Sequence, residues 1–369
     1  MKIAQVSFYR EVEDLPPARL VQQWRLDEIP AALNRSGHEV RCFVTARRDG
    51  RHTARGVDCL FIADRGAPIS GGWGPPRRVL SALSRWEPDI IHVHGLGHFC
   101  QLMLTRLSFP DTPIVVQDHA SKPPPRRLRR PWRASLDMAD RVLFVDRRQA
   151  TPFYDAGALS KRVPISEVLE ATTSFSPGDQ AAAQSATGLH GDPCLLWVGD
   201  LNANKDPLTV LEGVAQASQS QPGLHLWCVF RNAPLRDQVE SRITGDPRLR
   251  GRVTLIGEVP HRQLEQYHRA ADFFVLGSHS EGGAYSALEA LACGNTPVVS
   301  DIPAFERIAG AVGARFRCGQ ARALAEALAD ARPDRRGARA RFEATHTVER
   351  VADRLASIYR LTAADRVNA

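Results

Sequence analysis

Glu281 and Glu289 stand eight residues apart around a run that reads as strand, turn and helix. The run is an apolar stretch at 273–278, then Glu281-Gly282-Gly283, then a helix-favouring segment at 284–292. Two glycines at such a turn let backbone approach a ligand closely. The N–H groups of a helix start, with the helix dipole behind them, attract an anion. Gly283, Ala284 and Tyr285 therefore read as a phosphate cradle. At 1.5 Å rise per residue the two carboxylates lie roughly 12 Å apart along the axis. Carboxylates accept well from paired hydroxyls, so the spacing suits a diphosphate flanked by hydroxyl-rich groups, as in a nucleotide-sugar. A solvent-facing loop Glu followed by an ordinary helix Glu gives the same spacing, and spacing alone leaves both readings open.

Such a turn needs a strand before it and a helix after it, and the chain supplies this unit repeatedly. Short apolar, β-branched runs occur at 2–8, 39–44, 58–62, 89–94, 113–118 and 141–146. A second series lies at 194–199, 224–230, 252–257, 273–278 and 296–301. Nearly continuous apolar runs predict parallel strands buried on both faces, and the intervening segments are long enough for crossover helices. The predicted class is α/β, with two Rossmann-like doubly wound domains facing across a cleft. The predicted boundaries are a first Rossmann-like domain at 1–173, a linker at 174–190, a second Rossmann-like domain at 191–345 and a terminal segment at 346–369. Apolar residues at helical spacing (Val348, Val351, Leu355, Ile358, Tyr359) make that last segment a closing amphipathic helix that crosses back to the first domain. Residues 321–341, rich in Ala and Arg, read as an exposed helix and its exit.

The length of 369 residues agrees with two domains at about 150 residues each. With 43% hydrophobic and 24% charged residues the composition is that of an ordinary globular protein. No stretch approaches the ~20 apolar residues of a membrane span. Met1 leads straight into a strand-like run without the pattern of a cleaved leader. Seven scattered cysteines without a C-x-x-C suggest reduced thiols and neither a disulfide frame nor a zinc site. The expected compartment is the cytoplasm. The net charge of +7 suits anionic partners.

The string Glu281-x7-Glu289-Ala-Leu-Ala-Cys-Gly-x-x-Pro-Val-Val resembles the donor-site signature of retaining, nucleotide-sugar-dependent glycosyltransferases of the GT-B fold, the family-4-like "group 1" enzymes. Ser36-Gly37-His38-Glu39-Val40, the run Pro88-Asp89-Ile90-Ile91-His92-Val93-His94-Gly95, Ala139-Asp140-Arg141-Val142 and Ile358-Tyr359 also resemble family positions, so the similarity covers most of the chain. The resemblance implies a hexosyl transfer to a hydroxyl with retention, in glycan, glycolipid or natural-product glycoside synthesis. The same resemblance implies the acceptor side for the domain at 1–173 and the nucleotide-sugar side for that at 191–345. It implies no metal and no cofactor, the nucleotide-sugar (UDP- or GDP-type) being a co-substrate. By resemblance Glu281 contacts the sugar hydroxyls, and the amides of Gly282, Gly283, Ala284 and Tyr285 hold sugar and phosphate. Glu289 bonds the ribose, the backbone around Glu258 and Val259 reads the base, and Lys205, after the strand ending at Gly199, stabilises the diphosphate. His119 lies over the donor sugar. A structural role for His119, capping a turn beside Asp118, is the alternative.

Two departures stand out. Asp200 occupies the place of a family arginine, with Arg231 a candidate to compensate. The loop after the first strand, at 9–17, is acidic and proline-bearing where the family is glycine-rich. Asp200 motivates an alternative reading as a catalytically weak nucleotide- or glycan-binding protein. A nucleotide-sugar epimerase is a third reading, disfavoured by the Glu-x7-Glu arrangement. Finally, residues 122–133 hold six cations and Trp132. Arg126, Arg127, Arg129, Arg130 and Trp132 could meet an anionic inner membrane face or a phosphorylated lipid-linked acceptor, or form a solvated loop. The acceptor could equally be a saccharide or small molecule. No recognition motif for nucleic acid accompanies the charge.

Overall fold

A computed structural model describes residues 1–9, 15–24, 26–64 and 74–367. The chain divides into two compact units, Met1–Ala171 with Val348–Ala369, and Thr172–Thr347.

The first unit is built on β1 (Lys2–Ser7), β2 (Glu39–Ala46), β3 (Gly50–Ala54), β4 (Val57–Ala63), β5 (Ile90–His94), β6 (Ile114–Gln117), β7 (Arg141–Phe144) and β8 (Ile165–Glu167). They lie in the order β3-β4-β2-β1-β5-β6-β7-β8. All neighbours are parallel except β3 and β4. That hairpin turns on two residues with positive φ, Arg55 and Gly56, the pattern whose twist matches the flanking strands. The direction in which strands are added reverses between β1 and β5, so the loops after these two strands diverge and leave a crevice.

The second unit has β9 (Cys194–Val198), β10 (His225–Val229), β11 (Val253–Gly257), β12 (Phe273–Leu276), β13 (Thr296–Ser300) and β14 (Ala314–Phe316). Their order is β11-β10-β9-β12-β13-β14, all parallel. Here the reversal falls between β9 and β12. Every residue of β12 and β13 is buried, as the unbroken apolar runs require of strands covered on both faces.

Residues 174–190 are not a plain connector. Asp179 caps a helix, Gln180–Thr187, by accepting from the Ala182 N–H at 2.7 Å. Gln180 and Gln184 of that helix both donate to the Ala270 carbonyl, fixing it within the second unit. The Ala/Arg-rich stretch forms two helices, Ala321–Asp330 and Arg335–Thr345. The final helix, Val348–Val367, lies against Glu28–Arg35 in the first unit. It is tied there by buried polar contacts: Gln5 donates to the Tyr359 hydroxyl at 2.9 Å, and Arg141 donates to Thr362 Oγ1 at 3.0 Å. Among the described residues no helix is long and apolar enough to cross a membrane.

Candidate functional site

In the second unit the loops after β9 and β12 are stitched together at the strand-order reversal. The His279 N–H donates to the Asn204 carbonyl at 2.8 Å, and Asn204 Nδ2 donates to the Ser280 carbonyl at 2.9 Å. Gly277 permits this approach: a Cβ there would lie 3.0 Å from a Val210 methyl and 3.3 Å from the Lys205 carbonyl. Across the stitched loops Lys205 Nζ pairs with Glu281 Oε1, which also accepts from Ser278 Oγ at 2.5 Å. The stem of Lys205 runs over Gly199, its Cδ and Cε 3.7 Å from where a Cβ would stand.

Beyond Glu281 the chain enters the helix Tyr285–Cys293. The left-handed residue at its tip is Ala284, with φ +42°, rather than either glycine; its side chain supplies no cap. A non-glycine residue held in this region is strained, and such strain gathers at ligand sites. The Tyr285 hydroxyl donates to the Thr172 carbonyl at 2.6 Å, so this ring braces the helix start. Glu289 is 3% exposed. Its Oε1 lies 2.5 Å from His261 Nε2, at the start of the helix His261–Ala270 that follows β11, and its Oε2 lies 3.9 Å from His268 Nε2. Burial pushes His268 down to about 4, so His268 is a neutral neighbour. Glu289 is thereby fixed beside the loop holding Glu258, exposed, and Val259, part-buried. Asp200 turns to the loop after β10, where its oxygens accept from the Asn232 N–H and Nδ2, each at 3.0 Å. Its partner is therefore Asn232.

The first unit holds a cavity of about 500 Å³ beyond β1 and β5, lined by Gln5, His94, His119, Glu170 and apolar side chains such as Ile29 and Val44. A chain of polar contacts crosses it. His119 Nδ1 lies 2.6 Å from Glu170 Oε2, and His119 Nε2 lies 2.9 Å from His94 Nδ1. His94 Nε2 lies 2.6 Å from Gln5 Oε1, and His92 Nδ1 lies 2.7 Å from the Tyr359 hydroxyl that Gln5 donates to. One set of protons runs through these contacts, with His92 Nε2 left buried and without a hydrogen-bond partner among the described residues. Tyr359 donates to His92, Gln5 to Tyr359, His94 to Gln5 and His119 to His94, which leaves the second N–H of a protonated His119 for Glu170. Burial pulls His119 down, but Glu170 and Asp118 outweigh it and the net shift is upward. Burial takes His92 down to about 3 and His94 well below the usual imidazole range, so these two are neutral. Glu170 has no sequence signal of its own.

The basic segment requires a correction. Trp132 is buried in the core of the first unit, edge-on to Phe153 with ring centroids 6.4 Å apart. It therefore presents no ring to a membrane or acceptor. Arg126, Arg127 and Arg130 are exposed and Arg129 is part-buried. Of the acidic loop after the first strand, residues 10–14 lie outside the described residues. No group of three or more His, Cys, Asp or Glu side chains arranged to hold a metal ion occurs among the described residues.

Two doubly wound units, one with a lysine–carboxylate pair at its switch point, define an α/β protein with two Rossmann-like domains. Comparison gives the family. Residues 192–332 match the family "Glycosyl transferases group 1", and residues 23–157 match "Glycosyltransferase Family 4". A D-inositol 3-phosphate glycosyltransferase of Acidothermus cellulolyticus is 32% identical over 189 residues, which cover 46% of this chain and 41% of that protein. A GDP-mannose:cellobiosyl-diphosphopolyprenol alpha-mannosyltransferase of Xanthomonas campestris is 27% identical, covering 60% and 58%. The chain thus matches less than two thirds of each of these relatives. The solved sucrose-phosphate synthase of Thermosynechococcus elongatus superposes with a TM-score of 0.73 at 20% identity, over 99% of both chains. Anabaena Alr3699/HepE, solved with UDP, does so at 0.68 and 17%, over 97% of this chain and 99% of that one. The chain belongs to the family-4-like glycosyltransferases and has their GT-B fold.

Proposed function

We propose that this protein transfers a hexosyl unit from a nucleotide-sugar to a hydroxyl acceptor with retention of anomeric configuration. The observation that carries the reading is the Lys205–Glu281 pair at the switch point between β9 and β12, in front of the helix start at Tyr285. Phosphate oxygens suit that helix start, and the Lys205 ammonium neutralises charge as it grows on the departing diphosphate. Glu281 then exchanges its lysine partner for sugar hydroxyls. Glu289 accepts from the ribose, and the backbone around Glu258 and Val259 meets the base. His119 exchanges its contact with His94 for a sugar hydroxyl while Glu170 holds its other ring nitrogen.

In the transfer, the bond from the sugar C1 to the diphosphate oxygen breaks. The acceptor oxygen bonds C1 on the same face, and its proton passes to the departing phosphate oxygen. The protein supplies position and electrostatics. The names of the Xanthomonas campestris and Anabaena proteins, with GDP-mannose and UDP, support a GDP- or UDP-linked donor. The polyprenol-linked substrate named for the former supports a saccharide or lipid-linked acceptor, for which Arg126, Arg127 and Arg130 are among the exposed cations of the segment at 122–133.

A screen of UDP- and GDP-hexoses against sugar and lipid-linked acceptors, with the anomeric configuration of the product read by NMR, tests this. A product with the donor's configuration supports it. An inverted product removes retention, and binding with hydrolysis or epimerisation alone removes transfer.

A further inference from the structure

We propose that Cys318, His279 and Asp206 form a reactive-thiol site in the second unit, at which small uncharged electrophiles, hydroperoxides foremost, modify Cys318. The three residues come from separate elements. Asp206 caps the helix Pro207–Ala217, His279 follows β12 and Cys318 follows β14. His279 Nε2 lies 3.0 Å from Asp206 Oδ2, and its Nδ1 lies 3.2 Å from Cys318 Sγ. A carboxylate only accepts, so the ring proton sits on Nε2 and the Nδ1 lone pair faces the thiol. This is the order nucleophile, base, orienting carboxylate.

Each member is held from behind. Asp206 Oδ1 accepts from the Thr209 N–H at 3.3 Å, and the His279 N–H donates to the Asn204 carbonyl at 2.8 Å. The Cys318 N–H donates to Asp301 Oδ1 at 2.8 Å, and its sulfur has a second acceptor in the Ser278 carbonyl at 3.6 Å. The His279 side chain is half exposed and Cys318 is part-exposed, so a small reagent can reach the sulfur.

Burial, with the carboxylates of Asp301 and Asp206, pushes the Cys318 thiol up. The sulfur therefore rests as S–H, and His279 Nδ1 accepts the proton as the new bond forms. The same two carboxylates repel anions, which selects uncharged reagents. With a hydroperoxide the sulfur attacks one peroxide oxygen. The S–O bond forms and the O–O bond breaks, so the thiol is oxidised to a sulfenic acid and the peroxide is reduced. The leaving oxygen takes the proton from Nδ1 and departs as water or alcohol.

Cys100 supplies an internal control. It too is part-exposed, whereas Cys42, Cys59, Cys194, Cys228 and Cys293 are buried, and burial likewise raises its thiol. The full chain is treated with hydrogen peroxide in the presence of dimedone, and peptide mass spectrometry gives the rate of trapping at each cysteine. Cys318 is expected to be trapped about a hundredfold faster than Cys100, the lower end of what a positioned base supplies. His279→Asn is expected to bring it down to the Cys100 rate. Equal rates at the two sites in the unaltered chain, or an undiminished Cys318 rate in His279→Asn, would overturn the proposal. The first comparison needs no variant, and trapping at the five buried cysteines exposes any unfolding in the second.

Discussion

Lys205 and Glu281 lie 76 positions apart in the chain, yet their side chains are joined in an ion pair across the loops that leave β9 and β12. Both are mostly buried, with 20% and 11% of the side chains exposed. Without a ligand, each charge answers the other. On the proposed function, a diphosphate would offer Lys205 a second anion, and a sugar would offer Glu281 donors in exchange.

Removing one member of the pair should therefore have different consequences on its two sides. Glu281→Ala is expected to lower kcat by about 10²–10³, the scale for loss of a preorganised electrostatic contact, with smaller effects on binding of the nucleotide alone. Steady-state kinetics alongside nucleotide titration check this. Equal loss in kcat and nucleotide affinity would mean that Glu281 acts on the nucleotide.

Glu289 is expected to behave in the opposite way. It is held by His261 at 2.5 Å beside the loop after β11. Glu289→Ala should weaken nucleoside diphosphate binding about tenfold, about 1.4 kcal/mol, and leave kcat at saturating donor within about twofold. Fluorescence or calorimetric titration gives the first figure and saturation kinetics the second.

The His119–Glu170 contact makes stability depend on pH. His119 is raised in the folded protein, so the contact contributes fully below the unfolded imidazole value of about 6.5 and is lost as pH rises through the folded value. Glu170→Gln should thus cost more stability at about pH 6 than at alkaline pH, the difference from the parent shrinking as pH rises. Thermal unfolding across pH shows the trend, and NMR of His119 should show its titration move down in the variant.

Trp132 should prove a core residue. Truncation to Ala is expected to cost about 3–5 kcal/mol of stability, as for other large buried rings. Its effect on association with anionic vesicles should be no greater than that of replacing the exposed Arg126 or Arg127. Unfolding and vesicle co-sedimentation measure the two.

The eleven apolar runs all form strands within a residue or two of their predicted ends, most because burial on both faces leaves an unbroken hydrophobic signature; β11, at the edge of its sheet, is part-buried throughout. β3, β8 and β14 lack it. The first is a polar, half-exposed edge paired in a hairpin, and the other two are three residues long. The strand, turn and helix around Glu281 and Glu289 were legible because their spacing is local, whereas Lys205 was singled out only through the family resemblance. Glu170, Gly277 and the His279–Asp206 contact were not, since each acquires meaning only from a partner brought near by the sheet. His92 illustrates the limit: its partner Tyr359 is 267 positions away, and no spacing rule connects them. Trp132 misled through its neighbours, since a ring among arginines reads as an interface until the helix face that carries it is known.

The most direct measurement is calorimetric titration of UDP and GDP into the unaltered chain and into Lys205→Ala. At least one of the two is expected to bind the unaltered chain, and the loss of Lys205 should weaken that binding at least about tenfold. Failure of both nucleotides to bind, or the same affinity with and without the lysine, would contradict the assignment of this switch point as the donor site.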